Sequence, residues 1–332
     1  DIGAREASVI GALGFVRLLD PVASSRRPVG PGAEAARTPA RPVGELADSY
    51  GGSFSQVNQL GIVDINEKGY NGSGELSGAG PILIGVLDTG FDLGHVALRD
   101  VQVEAQRDFI QGDSVTSDEP GDPPGQGGHG TEVLGVIGGR APGELIGPAW
   151  GARYLLAKTE IFNQEIPIEE DHWVAGLEWA DSAGADVVTS SLGYVDWYTQ
   201  DSLDGNTALC TKAADIAASH GVVVVNSAGN QGLAGLVAPA DGDSVLAVGA
   251  VDRYGETVYF SSRGPTADGR IKPDFVAMGL AVRSVSYYDT LAYGSYNGTS
   301  FAAPLVGMMI LGGVGNFYGA VIVAVGITFM LE

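Results

Sequence analysis

Cysteine is almost missing from this 332-residue chain. Cys210 is the only one, which excludes an internal disulfide framework. Basic side chains are scarce as well: Lys and Arg total 18 against 40 Asp and Glu, a net charge of −22. A surface so charged repels phosphate backbones and anionic membrane faces, which argues against nucleic acid as a partner. No positively charged start leads into an unbroken apolar core, so no signal peptide is visible. There is no internal repeat, and no Gly-rich phosphate-cradling fingerprint with its lysine or spaced acid, which argues against a nucleotide-binding sheet. Only four histidines occur, few enough to weigh singly. What is abundant is apolar: 45% hydrophobic and 17% charged residues supply a sizeable core and argue against disorder of the whole chain.

Residues 1–50 differ in texture from the rest. Arg26-Arg27-Pro28, Pro31, Pro39 and Pro42 lie among Gly, Ala and Ser, a linker composition. Only Val9 to Leu19 is apolar enough for a strand or short helix, so this stretch reads as an N-terminal extension ahead of a main domain over residues 51–332. An initial Asp in place of Met predicts that the chain begins inside a longer precursor.

From Gly72 onward, short apolar runs alternate with helical patterns. Pro81 to Leu87 is a continuous apolar run of the kind buried on both faces in a parallel sheet, and it ends in Asp88-Thr89-Gly90. An acid at the C-terminal end of such a strand stands where α/β folds place their sites. Similar runs recur at Arg153 to Lys158, Asp186 to Ser191, Val222 to Asn226 and Val245 to Val251. Helices are predicted at His129 to Gly138, Glu169 to Ala183 and Asn206 to His220. In the second, Glu169, Glu170 and Asp171 sit in the first turn, where the helix dipole favours negative charge. In the third, Leu209, Ala213, Ile216 and Ala217 form an apolar stripe after an Asp204 cap. Strand and helix alternating in this way predict an α/β fold, a mostly parallel β-sheet with helices on both faces.

Three stretches carry chemistry. Asn297-Gly298-Thr299-Ser300-Phe301-Ala302-Ala303-Pro304 sets a serine hydroxyl between a flexible turn and a buried helix expected to run to about Met309. Gly127-Gly128-His129-Gly130-Thr131 flanks a histidine with glycines, which implies close backbone approach. The other histidines have structural readings: His95 follows the Asp88 turn, His172 lies in an acidic helix start, and His220 sits at a helix end where a cation suits the dipole. Asp88, His129 and Ser300 together supply an orienting carboxylate, a general base and a nucleophile, the parts of a serine hydrolase. Finally, Val222 to Asn230 reads as a buried strand ending in a glycine turn and an amide that can face a developing oxyanion.

The motifs Asp88-Thr89-Gly90, His129-Gly130-Thr131, Ser227-Ala228-Gly229-Asn230 and Gly298 to Pro304, with Phe260 to Pro265, resemble those of the subtilisin-family serine endopeptidases, the subtilases. Their order and their separations of 41, 101 and 70 residues make the match specific over about Ser49 to Val306. The Asp, His, Ser order is the one known in subtilisin itself. The resemblance implies a subtilisin-like fold and peptide-bond hydrolysis with Ser300 as nucleophile, His129 as general base then acid, Asp88 as its orienter and Asn230 as oxyanion-hole donor. It also implies an edge segment at Ser191, Leu192 and Gly193 that pairs with an extended substrate, and a specificity-pocket wall at Ala228 and Gly229. Main-chain pairing of that kind tolerates many sequences. Polypeptide substrates, and a secreted or cell-envelope location, belong to the same implication.

Three departures stand beside it. Before Tyr50 there is room only for a propeptide remnant, with Phe15-Val16-Arg17-Leu18-Leu19 resembling its last strand. The loop Arg140 to Pro148 lacks the Asn-rich look of the family's calcium site, so no metal ligands are carried over; calcium is the one cofactor to consider, and Asp113, Asp118, Glu119 and Asp122 read as a solvated acidic loop. Lastly, Leu305 to Leu331 contains no charge and is long enough, at about 20 or more apolar residues, for a membrane span. Membrane contact is therefore expected only through residues 305–331, with truncation as the competing account of that tail. The alternative to an enzyme is a catalytically silent subtilase-like fragment that binds peptides.

Overall fold

The computed structural model describes residues 43–75 and 80–312. The chain divides into two units at residue 41, and every described residue lies in the second. The expectations for Val9 to Leu19, for Phe15 to Leu19 and for the tail past residue 312 fall outside the described residues.

In chain order the elements are helices α1 (Val43–Tyr50), α2 (Phe54–Asn58) and α3 (Ile62–Glu67), strands β1 (Leu83–Asp88) and β2 (Gln102–Asp108), helix α4 (Gly128–Gly138), and the short strands β3 (Arg140–Ala141) and β4 (Leu145–Ile146). Strand β5 (Arg153–Lys158), helix α5 (Ile168–Ser182), strand β6 (Val187–Ser190), helix α6 (Leu209–Ser219), and strands β7 (Val223–Ser227), β8 (Val245–Val251) and β9 (Phe275–Met278) follow. A hairpin of β10 (Val282–Ser286) and β11 (Asp289–Tyr296) leads into helix α7 (Thr299–Gly312).

Seven strands pair in the order β2-β5-β1-β6-β7-β8-β9, every neighbour parallel. Because side chains alternate across a strand, β1 sends Ile84 and Val86 into one core and Leu83 and Leu87 into the other. The first core is closed by Val133 and Leu134 of α4 and by Phe301, Ala302 and Leu305 of α7; the second by Trp173 and Leu177 of α5 and Ala214 of α6. Helices thus cover both faces, the expected α/β architecture.

Several local expectations change. Val43–Tyr50, linker by composition, is a helix whose Leu46 and Tyr50 are buried in the first core. Helix α6 buries Cys210, Thr211, Ala214 and Ala217, while Leu209 and Ile216 stand in solvent. The small residues face the sheet because they allow the helix to approach it. Nor does Asp204 cap α6: it accepts from Asn206 N and Thr207 Oγ1 in the preceding turn. The helix start is held from elsewhere, with Tyr198 Oη accepting from Leu209 N and Glu170 accepting from Cys210 N at 2.9 Å. Strand β2, sequence QVEAQRD, has no apolar run to announce it, since it is an edge strand with one neighbour. Among the described residues no helix is long and apolar enough to cross a membrane.

Candidate active site

Asp88 is the last residue of β1, and its carboxylate Oδ1 accepts from Thr89 N at 2.8 Å and from His129 Nδ1 at 2.6 Å. His129 is the second residue of α4. The helix can begin so close to the strand end because the next residue is Gly130: a Cβ there would collide with the Gly90 carbonyl and lie 2.9 Å from Asp88 Cβ. Asp88 is fully buried while the His129 side chain remains 27% exposed. With Nδ1–H donating to Asp88, Nε2 is the free ring nitrogen. Burial works against protonating this imidazole, but the Asp88 charge, its hydrogen bond and nearby Glu132 together hold the pKa above the ordinary 6.5. Glu132 is itself pushed up to about 7, chiefly by burial.

Ser300 is the second residue of α7. It follows Gly298, whose φ of 152° belongs to a region that side-chain-bearing residues avoid. Pro304 lies inside the same helix and has no N–H to give to the carbonyl four residues back, which is that of Ser300. The Ser191 hydroxyl donates to that carbonyl instead, at 2.7 Å. In return the Ser300 hydroxyl donates to the Ser191 carbonyl at 3.3 Å, and among the described hydrogen bonds none joins it to His129. Catalytic hydrogen bonds often tighten only once substrate is bound.

Asn230 is held by its oxygen. Oδ1 accepts from Thr299 N at 2.9 Å and from Thr299 Oγ1 at 3.1 Å, which fixes the amide's orientation and leaves the Nδ2 donor unused. His129, Ser300 and Asn230 all line one open cavity of about 260 Å³ at the carboxyl ends of the strands.

Ser191, Leu192, Gly193 and Gly229 line that cavity too. No described hydrogen bond engages the Gly193 main chain, so its N–H and C=O are open to a partner. Ala228 lies behind the wall, fully buried, with its N–H donating to Val248 O. Sequence reasoning missed Thr299, which orients Asn230, and the acids Glu160 and Glu165 on the far wall. Glu160 stands just past the end of β5, and that position was a readable signal, the same one that marked Asp88. Of the other histidines, His95 is buried with Nε2 against Ala292 O and His220 Nδ1 meets Asp181 at the end of α6, while the buried Nδ1 of His172 has no described partner.

The acidic loop is solvated at Asp113 and Asp118, as expected, and half-buried at Glu119 and Asp122, where it meets a buried lysine. Asp108, Asp113 and Glu119 offer carboxylate oxygens within 4.8 Å of one another. Lys158, fully buried, places its ammonium 2.7 Å from Asp108 Oδ2, 2.7 Å from Asp122 Oδ2 and 3.6 Å from Glu119 Oε1. A calcium ion needs six to eight oxygen ligands and would meet this ammonium at the same carboxylates. The group therefore fits a lysine and not calcium. Asp118 instead ties the loop ahead of α4, accepting from Gly127 N and Tyr287 Oη, each at 2.7 Å.

Comparison with known proteins agrees with the fold. The subtilase family description matches residues 80–311. Subtilisin DY of Bacillus licheniformis is 32% identical over 249 residues, 73% of this chain and 77% of that protein. A subtilisin of Bacillus pumilus is 31% identical over 257 residues, 75% of this chain and 80% of the other. Among solved structures, the prenylagaramide maturation protease PagA superposes with a TM-score of 0.59 at 22% identity, covering 77% of this chain and 80% of that one, a likeness of fold. A cold-adapted subtilisin-like serine proteinase superposes with a TM-score of 0.53 at 25% identity, covering 69% and 74%. With a family match over most of its length and relatives above 30% identity, the chain belongs to the subtilase family of serine endopeptidases.

Proposed function

We propose that the protein hydrolyses peptide bonds through an acyl-enzyme, with Ser300 as nucleophile, His129 as general base then acid, Asp88 orienting the imidazole and Asn230 donating to the oxyanion. The observation that carries the reading is the 2.6 Å bond between buried Asp88 and His129 Nδ1, made where His129, Ser300 and Asn230 face one cavity. Ser300 Oγ attacks the scissile carbonyl carbon while His129 Nε2 takes its proton. The carbonyl oxygen gains charge beside Asn230 Nδ2. His129 then gives the proton to the leaving amine as the C–N bond breaks, leaving an ester on Ser300. Water attacks that ester, again giving its proton to His129, and the acid product leaves as Ser300 regains a proton. Substrate lies extended along Ser191 to Gly193, with Gly229 as a pocket wall. The resemblance also assigns the protein to the cell exterior or envelope.

Titration of the full chain with a fluorophosphonate probe, beside hydrolysis of an unfolded protein, tests the reading. Stoichiometric labelling that disappears in Ser300→Ala, with turnover reduced by about 10⁴ or more, is expected. Labelling that survives in Ser300→Ala, or a wild-type chain that binds peptides without labelling, would rule it out.

A further inference from the structure

The two walls of the cleft differ in charge. Along the sheet the carboxyl ends follow in the order β5, β1, β6, β7, so Glu160, Thr89, Ser191 and Ser227 succeed one another across the cavity floor. The β7 side, with Gly229 and Val237, is neutral. On the β5 side stand Glu160 and Glu165, and among the described residues no Lys or Arg lines the cavity, His129 being the lining group able to carry positive charge. Among the described residues no cation pairs with either acid. Glu160 is buried and accepts from Tyr194 Oη at 3.2 Å, and burial with the neighbouring acids Glu165, Glu169 and Asp88 pushes its carboxyl well above the usual range; the charges beside Glu165 are Glu169 and Asp196, again acids. Burial and these neighbours push Glu165 up to about 7. Phe162, 51% exposed, lines the same wall between the two acids in sequence.

Two neighbouring acids without a basic partner, next to an exposed ring, suit one kind of side chain, with an apolar stem to lie on Phe162 and a cationic head to reach Glu165 and draw off the protons that burial favours on both acids. A peptide laid along Ser191 to Gly193 sends successive side chains to opposite walls. The residue whose carbonyl reaches Asn230 turns toward Gly229 and Val237, and the one before it turns toward Glu160. We propose that Glu160, Phe162 and Glu165 form a subsite selecting Lys or Arg at the second residue before the scissile bond. This rests on the catalytic reading above and adds the substrate class.

The test uses the full chain and matched quenched-fluorescent peptides that differ only in Lys, Ala or Glu at that position. Hydrolysis of the Ala peptide controls for the catalytic reading: if it too is uncut, that reading fails first. With the Ala peptide cut, kcat/KM for Lys should exceed that for Ala by at least about tenfold, and Glu should be poorest. The Lys-to-Ala ratio should fall toward one in Glu165→Gln and invert toward Glu in Glu165→Lys. Glu165 is exposed, so these variants stay foldable; Glu160→Gln, at a buried position, is read only by the same ratio. Equal rates for the three peptides, or a Lys preference unchanged in both Glu165 variants, would overturn the proposal.

Discussion

At the scale of single residues, the site is built from side chains that each spend one polar atom on a neighbour and keep another for substrate. His129 gives Nδ1 to Asp88 and keeps Nε2; Asn230 gives Oδ1 to Thr299 and keeps Nδ2. That division makes Asn230→Ala a clean test of the oxyanion role. Turnover should fall by about 10² to 10³, the loss known for the corresponding asparagine of subtilisin, while KM changes little. A variant that keeps its turnover and loses affinity would make Asn230 a substrate contact.

Between elements, the decisive joint is the one that Pro304 imposes on α7. A proline inside a helix leaves a carbonyl unpaired, and here that carbonyl belongs to Ser300 and is met by the Ser191 hydroxyl from the end of β6. Ser191→Ala should therefore destabilise the fold by about 1–3 kcal/mol through a buried unsatisfied carbonyl, and lower kcat as the serine loses its support. Pro304→Ala restores a donor within the helix. In that background Ser191→Ala should do much less damage, which denaturant midpoints of the four proteins will show. Equal losses in both backgrounds would uncouple Ser191 from the helix.

For the whole molecule, the surplus of acids sets the response to pH. With a net charge of −22 the folded chain repels itself. Glu132 and Glu165, at about 7 when folded, hold protons that the unfolded chain, with ordinary carboxyls, has already lost by pH 6. The folded state therefore binds more protons between about pH 6 and 8, and stability falls as pH rises through that window. His129, also raised, acts in the same direction. The unfolding midpoint should rise by a few degrees from pH 8 to pH 6, and added salt should help more at pH 8. A midpoint that drops on acidification across this range would show that these carboxyls are ionised in the folded protein.

Much of this was written in local pattern. The apolar runs that became β1, β5, β6, β7 and β8 are buried on both faces, and a strand so placed has no polar alternative to conceal it. Asp88, His129, Asn230 and Ser300 were legible because each interrupts such a run or a glycine turn with a group that has no packing reason to be there. The sequence by itself thus determined the α/β layering and the family, and it singled out His129, Asn230 and Ser300, which line the cleft. Only the tertiary structure decided which face of α6 is buried, that Lys158 meets the carboxylates of the acidic loop, that Ser191 completes the helix of Ser300, and that Glu160 and Glu165 share a wall. Each of these depends on atoms brought together from distant parts of the chain, and the energy of a buried charge or an unpaired carbonyl is set by such neighbours rather than by the residues on either side of it.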